Sequence, residues 1–114
     1  TCNQLPVSVD YDLPIIVVVL NNYLLGMVRQ WQELFYGRRY IAVDLKGKAD
    51  IAKVSEGLGA KAFKVSRVSE LKEALQTAVK QNETTVIDVI VEREDNVFPM
   101  IPPAATLDQV ITGR

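Results

Sequence analysis

Histidine is absent from this sequence of 114 residues. Its absence removes the commonest general base, the commonest side-chain metal ligand and every Ser-His or Cys-His nucleophile arrangement. The single cysteine, Cys2, excludes an internal disulfide. Any chemistry must therefore come from a bound cofactor or from another chain, and we expect no catalytic side chain here.

An excess of charge of either sign is also lacking. Thirteen basic and fourteen acidic residues give a net charge of -1, so the chain has no electrostatic footprint for nucleic acid or for an anionic membrane. The longest apolar run, Leu13 to Leu20, is shorter than the ~20 residues of a membrane span, and the amino terminus shows no secretion signal. We expect no nucleic-acid partner, no membrane partner and a cytoplasmic location.

What is present is the composition of an ordinary globular domain. Hydrophobic residues make up 48% of the chain and charged residues 24%, and the length is enough for one core. Apolar segments predict strands at Leu13 to Leu20, Ala60 to Val65 and Thr85 to Val91. Helical spacing or capping residues predict helices from near Leu24 to Gly37, from Asp50 to about Gly57, and from a cap at Ser69. This alternation predicts a three-layer α/β/α fold with a parallel sheet.

The ends of the chain depart from that regular pattern. The run Leu13 to Leu20 is typical of an interior strand covered on both faces, yet no strand precedes it, so we expect a partial domain that lacks its amino-terminal strands. Pro6 is expected to disturb a first helix. The prolines of residues 96–105 predict an extended tail, followed by a short helix from about Leu107 to Ile111.

Asn21 and Asn22 stand where the first strand passes into a helix. This position is the carboxyl edge of a parallel sheet, where doubly wound folds bind ligands. Asparagine is also a favoured helix cap, so spacing alone leaves both interpretations open. Asp88, within the third apolar segment, is expected to have a structural role at a strand end or in a bond to the backbone, because a buried carboxylate needs hydrogen bonds.

The segment LNNYLLGMVRQWQELFYGRRY, from Leu20 to Tyr40, resembles the LNNxxLGMVRQWQxLFYxxRY segment of acetolactate (acetohydroxyacid) synthase large subunits. The similarity continues through TCNQL and DYDLP upstream and through LGAKAF, VIDVIV and NVFPMIPP downstream. It implies that residues 1–114 are the carboxy-terminal part of a thiamine-diphosphate-binding domain. The family's cofactor motif runs from Gly-Asp-Gly to this Asn-Asn pair, and only its second half is present.

The resemblance implies thiamine diphosphate and Mg²⁺ as cofactors, with FAD bound elsewhere in the parent enzyme. Asn22 is the implied side-chain ligand of the metal and Leu24 its main-chain carbonyl ligand, both hard oxygen donors. The aspartate of the Gly-Asp-Gly segment is missing, so we predict no tight cofactor binding and no activity for this chain alone. Tyr23 replaces a commoner small or polar residue beside these ligands.

The resemblance also implies roles on the helix that follows. Met27 and Trp31 share a helical face and are implied to line the pocket of the second 2-oxoacid. Met27 and Gly26 are also implied to lie at the cofactor, where Gly26 allows close approach. A core position is the alternative for Met27 and Trp31, and a packing role is the alternative for Gly26. The roles of three arginines, Arg29, Arg38 and Arg39, stay open. They could contact substrate or another subunit, or form a solvated face.

The implied reaction of the parent enzyme is a transferase reaction of branched-chain amino-acid biosynthesis. Pyruvate is decarboxylated and joined to pyruvate or 2-oxobutanoate, with a catalytic glutamate supplied by another domain across a dimer interface. The implied partners are the rest of the catalytic subunit and a second copy, and a regulatory subunit stays open. Another thiamine-diphosphate-dependent decarboxylase and an isolated non-catalytic α/β module are the alternatives.

Overall fold

The computed structural model describes residues 2–45 and 48–113, which fall into two units. The sheet unit comprises residues 2–22 and 48–92, and the helix-tail unit comprises residues 23–45 and 93–113. The strands are β1 (Ile16–Asn21), β2 (Lys61–Val65) and β3 (Thr85–Ile90). The helices are α1 (Leu5–Asp10), α2 (Gly26–Phe35), α3 (Ile51–Gly57) and α4 (Val68–Gln81), with single 3₁₀ turns at Cys2–Gln4 and Leu107–Gln109.

The three strands of the sheet unit form one parallel sheet in the order β1-β3-β2. The parallel sheet is therefore confirmed, and so is the expectation that the first strand lacks a neighbour on one side. β3 is the interior strand, and β1 lies at an edge, where the Leu20 side chain is 70% exposed. The apolar character of β1 suits a strand covered on both faces, and the described residues cover it only in part.

Helices pack on both faces of this sheet. On one face, Leu71, Ala74 and Leu75 of α4 pack against Ile87 and other apolar residues of the strands. On the other face, Lys64 of β2 forms an ion pair with Asp50, the residue that caps α3, at 3.3 Å between Nζ and Oδ2. Successive side chains of a strand point to opposite faces, so α3 and α4 lie on opposite sides of the sheet. The three-layer α/β/α prediction is confirmed.

The helix starts of the sheet unit confirm one capping prediction and correct two others. Asp50 caps α3 as predicted, since its Oδ1 accepts a hydrogen bond of 3.1 Å from the Lys53 backbone N–H. Ser69 is not the cap of α4, which instead begins at Val68 with the Glu70 carboxylate accepting the backbone N–H groups of Ser66 and Arg67. Pro6 lies in the first turn of α1, where backbone N–H groups need no intrahelical acceptor, so the expected disturbance does not arise.

The helix-tail unit consists of α2, the loop that follows it and the proline-containing tail. Met100 pairs with Ile111 through two backbone hydrogen bonds, of 2.8 and 2.7 Å, so Ile111 lies in an extended pairing rather than in the predicted helix. The helix expected there is only the turn Leu107–Gln109. Of the loop predicted over residues 38–48, Lys46 and Gly47 lie outside the described residues. No helix in the described part of the chain is long and apolar enough to cross a membrane.

Candidate cofactor and substrate sites

The carboxyl end of β1 is fixed by a side-chain hydrogen bond inside the sheet unit. Asn21, the last residue of β1, donates from Nδ2 to Oδ1 of Asp88 at 2.9 Å, and its carbonyl accepts the Val91 backbone N–H at 3.1 Å. Asp88 lies within β3, two residues before its end, and pairs with a side chain, so the expectation of a strand end or a backbone partner is wrong. The Asp88 side chain is fully buried, and its Oδ2 has no hydrogen-bond partner among the described residues.

Asn22 is the last residue of the sheet unit before the chain enters the helix-tail unit, and it is half-buried. Tyr23, at the start of the helix-tail unit, has φ +55°, in the left-handed region that a bulky residue adopts only at a cost. Backbone strain of this kind concentrates at ligand sites and switches. The departure noted at Tyr23 in the sequence thus coincides with an unusual backbone conformation directly between the two candidate metal ligands.

Leu24 forms an isolated antiparallel bridge with Asp44 in the helix-tail unit. The two hydrogen bonds of this bridge join Leu45 N–H to the Tyr23 carbonyl at 3.0 Å and Leu25 N–H to the Val43 carbonyl at 2.9 Å. The pairing therefore uses the flanking residues and does not consume the carbonyl of Leu24, since a pair of this type directs its own backbone groups away from the partner strand.

Helix α2 places its polar side chains inward and its apolar side chains outward. Gln30 is 1% exposed, whereas Met27 is 54% and Trp31 is 41% exposed. Val28 and Phe35 are exposed as well. The alternative of a core position for Met27 and Trp31 does not hold in this structure. An exposed group of large apolar side chains is typical of a surface that contacts a ligand or another protein segment.

Trp31 lines a cavity of about 460 Å³ within the helix-tail unit. The other lining residues come from α2 and from the loop after it: Val28, Gln32, Tyr36, Arg39 and Ile41. Arg39 donates from Nε to the Tyr36 carbonyl at 3.2 Å and is exposed. The cavity thus combines aromatic and aliphatic walls with one guanidinium group, a composition suited to a small anion that carries an apolar part.

Arg29, on the inward face of α2, makes one contact within the helix, one with the tail and one with the loop. Arg29 forms ion pairs with Glu33 at 2.9 Å and Glu94 at 3.2 Å, and its guanidinium lies 5.0 Å from the centre of the Tyr40 ring. These partners give Arg29 a structural position and remove it from the candidates for substrate binding. Arg38, with φ +59°, lies in the turn after α2.

The sequence matches the family described as "Thiamine pyrophosphate enzyme, C-terminal TPP binding domain" over residues 1–89. This match covers more than half of the chain. The chain belongs to this thiamine-pyrophosphate enzyme family.

Individual relatives extend the match beyond the family's own boundary. A probable acetolactate synthase large subunit of Methanococcus aeolicus is 34% identical over 110 residues, 96% of this chain and 18% of that protein. The acetolactate synthase large subunit of Parasynechococcus marenigrum is 40% identical over 102 residues, 89% of this chain and 16% of that protein. The resemblance drawn from the sequence is confirmed, and the chain spans less than a fifth of the length of these relatives.

Solved structures of thiamine-dependent enzymes share the fold. A benzoylformate decarboxylase from Polynucleobacter necessarius superposes with a TM-score of 0.75 at 30% identity, covering 83% of this chain and 18% of that one. A thiamine diphosphate-dependent 4-hydroxybenzoylformate decarboxylase from Rhodococcus jostii RHA1 gives the same TM-score and coverage at 21% identity, which bears on the fold alone.

The candidate metal donors of this chain are both oxygen atoms. The candidate donors, the Asn22 side chain and the Leu24 carbonyl, offer the oxygen ligands that Mg²⁺ prefers. Within residues 2–45 and 48–113, no group of three or more His, Cys, Asp or Glu side chains is placed to hold a metal ion. Two oxygen donors do not by themselves complete the octahedral coordination that Mg²⁺ demands.

Sequence reasoning missed two features of these sites. One is the Asn21–Asp88 pair, signalled by a carboxylate inside an otherwise apolar strand. The other is the pair Gln30 and Gln32, which flanks Trp31 in α2 and forms hydrogen bonds with backbone groups of the tail and of the loop. Gly26 is the first residue of α2. The structure brings Met27 and Trp31 together on one helical face, as predicted, and assigns Asn22 to the other unit.

Proposed function

We propose that the protein carrying this chain is an acetolactate synthase, which decarboxylates pyruvate and joins the remaining two carbons to a second 2-oxoacid. The observation that carries the proposal is the extent of the similarity to acetolactate synthase large subunits. It spans 110 residues, whereas the general family match ends at residue 89, so it includes tail residues that lie beyond the general family match. The reaction would serve branched-chain amino-acid biosynthesis.

The proposed cofactors are thiamine diphosphate and Mg²⁺, with FAD held by other parts of the protein. Thiamine diphosphate supplies the electron sink that makes decarboxylation of a 2-oxoacid feasible. In this chain, Asn22 would ligate the magnesium ion through its amide oxygen and Leu24 through its carbonyl. The Asn21–Asp88 hydrogen bond supports this assignment, because it fixes the backbone immediately before Asn22.

Met27 and Trp31 are the proposed wall for the acceptor 2-oxoacid. Their large, exposed apolar surfaces can pack against the alkyl part of the acceptor and exclude water from it. One additional methylene in an apolar pocket changes transition-state binding by about 1–3 kcal/mol, so such a wall favours 2-oxobutanoate over pyruvate. Gly26, at the start of α2, would allow the helix to approach the cofactor closely.

A decarboxylase that releases an aldehyde is the second candidate function. It is favoured by the 30% identity and TM-score of 0.75 to a benzoylformate decarboxylase. The tail outside the general family match argues for the synthase, because acetolactate synthase relatives match it.

The proposed assembly is a homo-oligomer of the complete catalytic subunit in the cytoplasm, with a regulatory subunit left open. The exposed apolar face of α2 supports contact with other protein segments. Its apolar side chains form a group, whereas apolar residues on a surface without such contacts are usually scattered singly. The isolated 114-residue chain is predicted to bind cofactor weakly and to be inactive.

The deciding experiment uses the full-length protein with Mg²⁺, thiamine diphosphate and FAD. Incubation with pyruvate should yield acetolactate, and incubation with pyruvate and 2-oxobutanoate should yield mainly acetohydroxybutyrate. In a Trp31→Leu variant, this preference should fall by about tenfold or more, while Leu107→Ala, at an exposed position on the tail, should retain it. Release of benzaldehyde from benzoylformate without a ligated product would overturn the synthase in favour of the decarboxylase.

A further inference from the structure

Gln30 and Gln32 each form two hydrogen bonds with the backbone of a single residue, one through the amide oxygen and one through the amide nitrogen. Gln30 accepts the Val97 backbone N–H at 2.9 Å and donates to the Val97 carbonyl at 2.8 Å. Gln32 accepts the Ile41 backbone N–H at 3.0 Å and donates to the Ile41 carbonyl at 3.2 Å. The two glutamines that flank Trp31 in the sequence therefore make the same two-point contact with two different segments of the helix-tail unit.

A contact of this kind defines position more sharply than a single hydrogen bond. The amide oxygen and nitrogen of glutamine act as the acceptor and donor that a neighbouring strand would provide. They therefore fix both the distance and the orientation of the bound backbone relative to α2. Gln30 makes an additional contact from Nε2 to Sδ of Met100 at 3.2 Å and is 1% exposed. Each glutamine thus orders a segment that has no regular secondary structure.

The residue between the two glutamines is Trp31, the proposed wall of the acceptor pocket. Gln32 and Ile41 line the cavity of about 460 Å³ together with Trp31. The Ile41 side chain is largely exposed, so little packing of its own holds it beside α2. Its position relative to Trp31 depends on the hydrogen bonds from Gln32. The opposite side of α2 is held to the tail by Gln30 and by the ion pair between Arg29 and Glu94.

We propose that Gln32 is a positioning residue for the acceptor 2-oxoacid: it sets the width of the pocket at Trp31 by holding the backbone of Ile41. Gln30 supports the same helix from the tail. The inference rests on the proposed function, since it concerns the discrimination between acceptors by the same pocket. Neither glutamine contacts a reacting atom in this scheme, and both act through the segments that they hold.

A positioning role and a merely structural role differ in what they change. Loss of a structural contact lowers the unfolding temperature and total activity without altering the choice between two acceptors that compete for one pocket. Loss of the Gln32 contact lets Ile41 move relative to Trp31, which changes the fit of the longer acceptor more than that of the shorter one. The product ratio is therefore the discriminating quantity.

The test uses the full-length protein with its cofactors and equal concentrations of pyruvate and 2-oxobutanoate. Gln32→Leu, which removes both hydrogen bonds, should lower the ratio of acetohydroxybutyrate to acetolactate by roughly threefold to tenfold. Gln32→Glu, which keeps the acceptor for the Ile41 N–H and loses the donor, should give a smaller decrease. The matched control is Gln76→Leu, on the exposed side of α4 and without a hydrogen bond from its amide in the described part of the chain, and it should keep the wild-type ratio.

Each result has a definite meaning. A wild-type protein that forms acetolactate, together with a Gln32→Leu variant of unchanged product ratio, overturns the positioning role and leaves the proposed function intact. A wild-type protein that forms neither ligated product overturns the proposed function and this inference with it. If Gln32→Leu does not fold, Gln32→Glu decides in the same way, because an unchanged ratio in that variant also contradicts the proposal.

Discussion

Asn21 and Asp88 are joined by a hydrogen bond of 2.9 Å between side chains that lie 67 positions apart in the sequence. Asp88 is fully buried, and its second oxygen has no partner among the described residues. Asn21 is only half-buried, so its amide can reach water when Asp88 is lost, whereas Asp88 cannot reach water when Asn21 is lost. Removal of one partner from a buried hydrogen bond leaves the other partner unsatisfied, which costs more than replacement of both by apolar groups.

Replacement of the amide partner should therefore be the more damaging change. Asn21→Leu leaves the buried Asp88 carboxyl group without its donor and should lower the free energy of unfolding by about 3 kcal/mol. Asp88→Leu removes the buried carboxylate itself and leaves an amide that can reach water, so the loss should be about 1 kcal/mol. Urea unfolding of both variants and of the double variant measures the difference. Equal losses in the two single variants would contradict the account.

Gly57 and Gly59 provide a matched pair of glycine substitutions. Gly57, the last residue of α3, has no atom within 4 Å of the position of an added Cβ, so Gly57→Ala should stabilise the protein by about 0.5 kcal/mol. Gly59 has φ +92°, and an added Cβ would lie 3.2 Å from Cγ1 of Val9. Gly59→Ala should therefore destabilise the protein by roughly 1–2 kcal/mol. Opposite shifts of the thermal unfolding midpoint are expected, and shifts of the same sign would refute the conformational argument.

Glu70 should give α4 a measurable dependence on acid pH. Hydrogen bonds from the Ser66 backbone N–H and then from Arg67 lower the pKa of Glu70 from 4.5 to about 2. Because the folded-state pKa is depressed, the stabilisation is complete above pH 4.5 and is lost as the pH falls from 4.5 to about 2. The thermal unfolding midpoint of Glu70→Gln should be lower than that of wild type at pH 7, and the difference between the two midpoints should vanish near pH 2.

The control for this prediction is Glu73→Gln on an exposed part of the same helix. It should change the unfolding midpoint little at pH 7, because its side chain does not cap the helix. A difference between wild type and Glu70→Gln that stays constant across the acid range would show that the Glu70 carboxylate does not stabilise α4 through its charge.

Asn22 is the proposed metal ligand whose role can be tested directly in the full-length protein. Asn22→Ala should raise the Mg²⁺ concentration for half-maximal activity by at least about tenfold, since even residues that only support metal ligands have effects of that size. Asn3→Ala, at an exposed position in the first 3₁₀ turn, should leave this concentration unchanged. Activation by the same Mg²⁺ concentration in Asn22→Ala and wild type would remove Asn22 from the site.

The sequence predicted the parallel sheet and the three layers because strand and helix patterns depend on local spacing. It also located Asp50 as a helix cap, since a cap acts within three residues of its own position. It misplaced the start of α4 because both Ser69 and Glu70 are polar residues near an apolar run. Only the backbone geometry shows that the Glu70 carboxylate accepts the N–H groups.

Long-range relationships were beyond sequence reasoning. The strand order β1-β3-β2 makes the last strand along the chain the central one, which the apolar runs at Leu13 to Leu20 and Thr85 to Val91 cannot distinguish. The helical spacing of Met27 and Trp31 predicted a shared face, but the same spacing fits a core stripe equally well. The structure turns that face outward because Gln30, Arg29 and Glu33 bind the tail on the inner side.

The amino-acid sequence by itself determined the α/β pattern, the position of the Asn pair at the end of a strand and membership of a thiamine-dependent family, since each rests on residues close together in the chain. Only the tertiary structure decided that Asp88 forms a hydrogen bond with Asn21 and that α2 exposes Trp31. It also decided that Gln30 and Gln32 form hydrogen bonds with the backbones of Val97 and Ile41. The physical reason is that hydrogen bonds and burial depend on distances in space, and residues 67 positions apart carry no local signal of their contact.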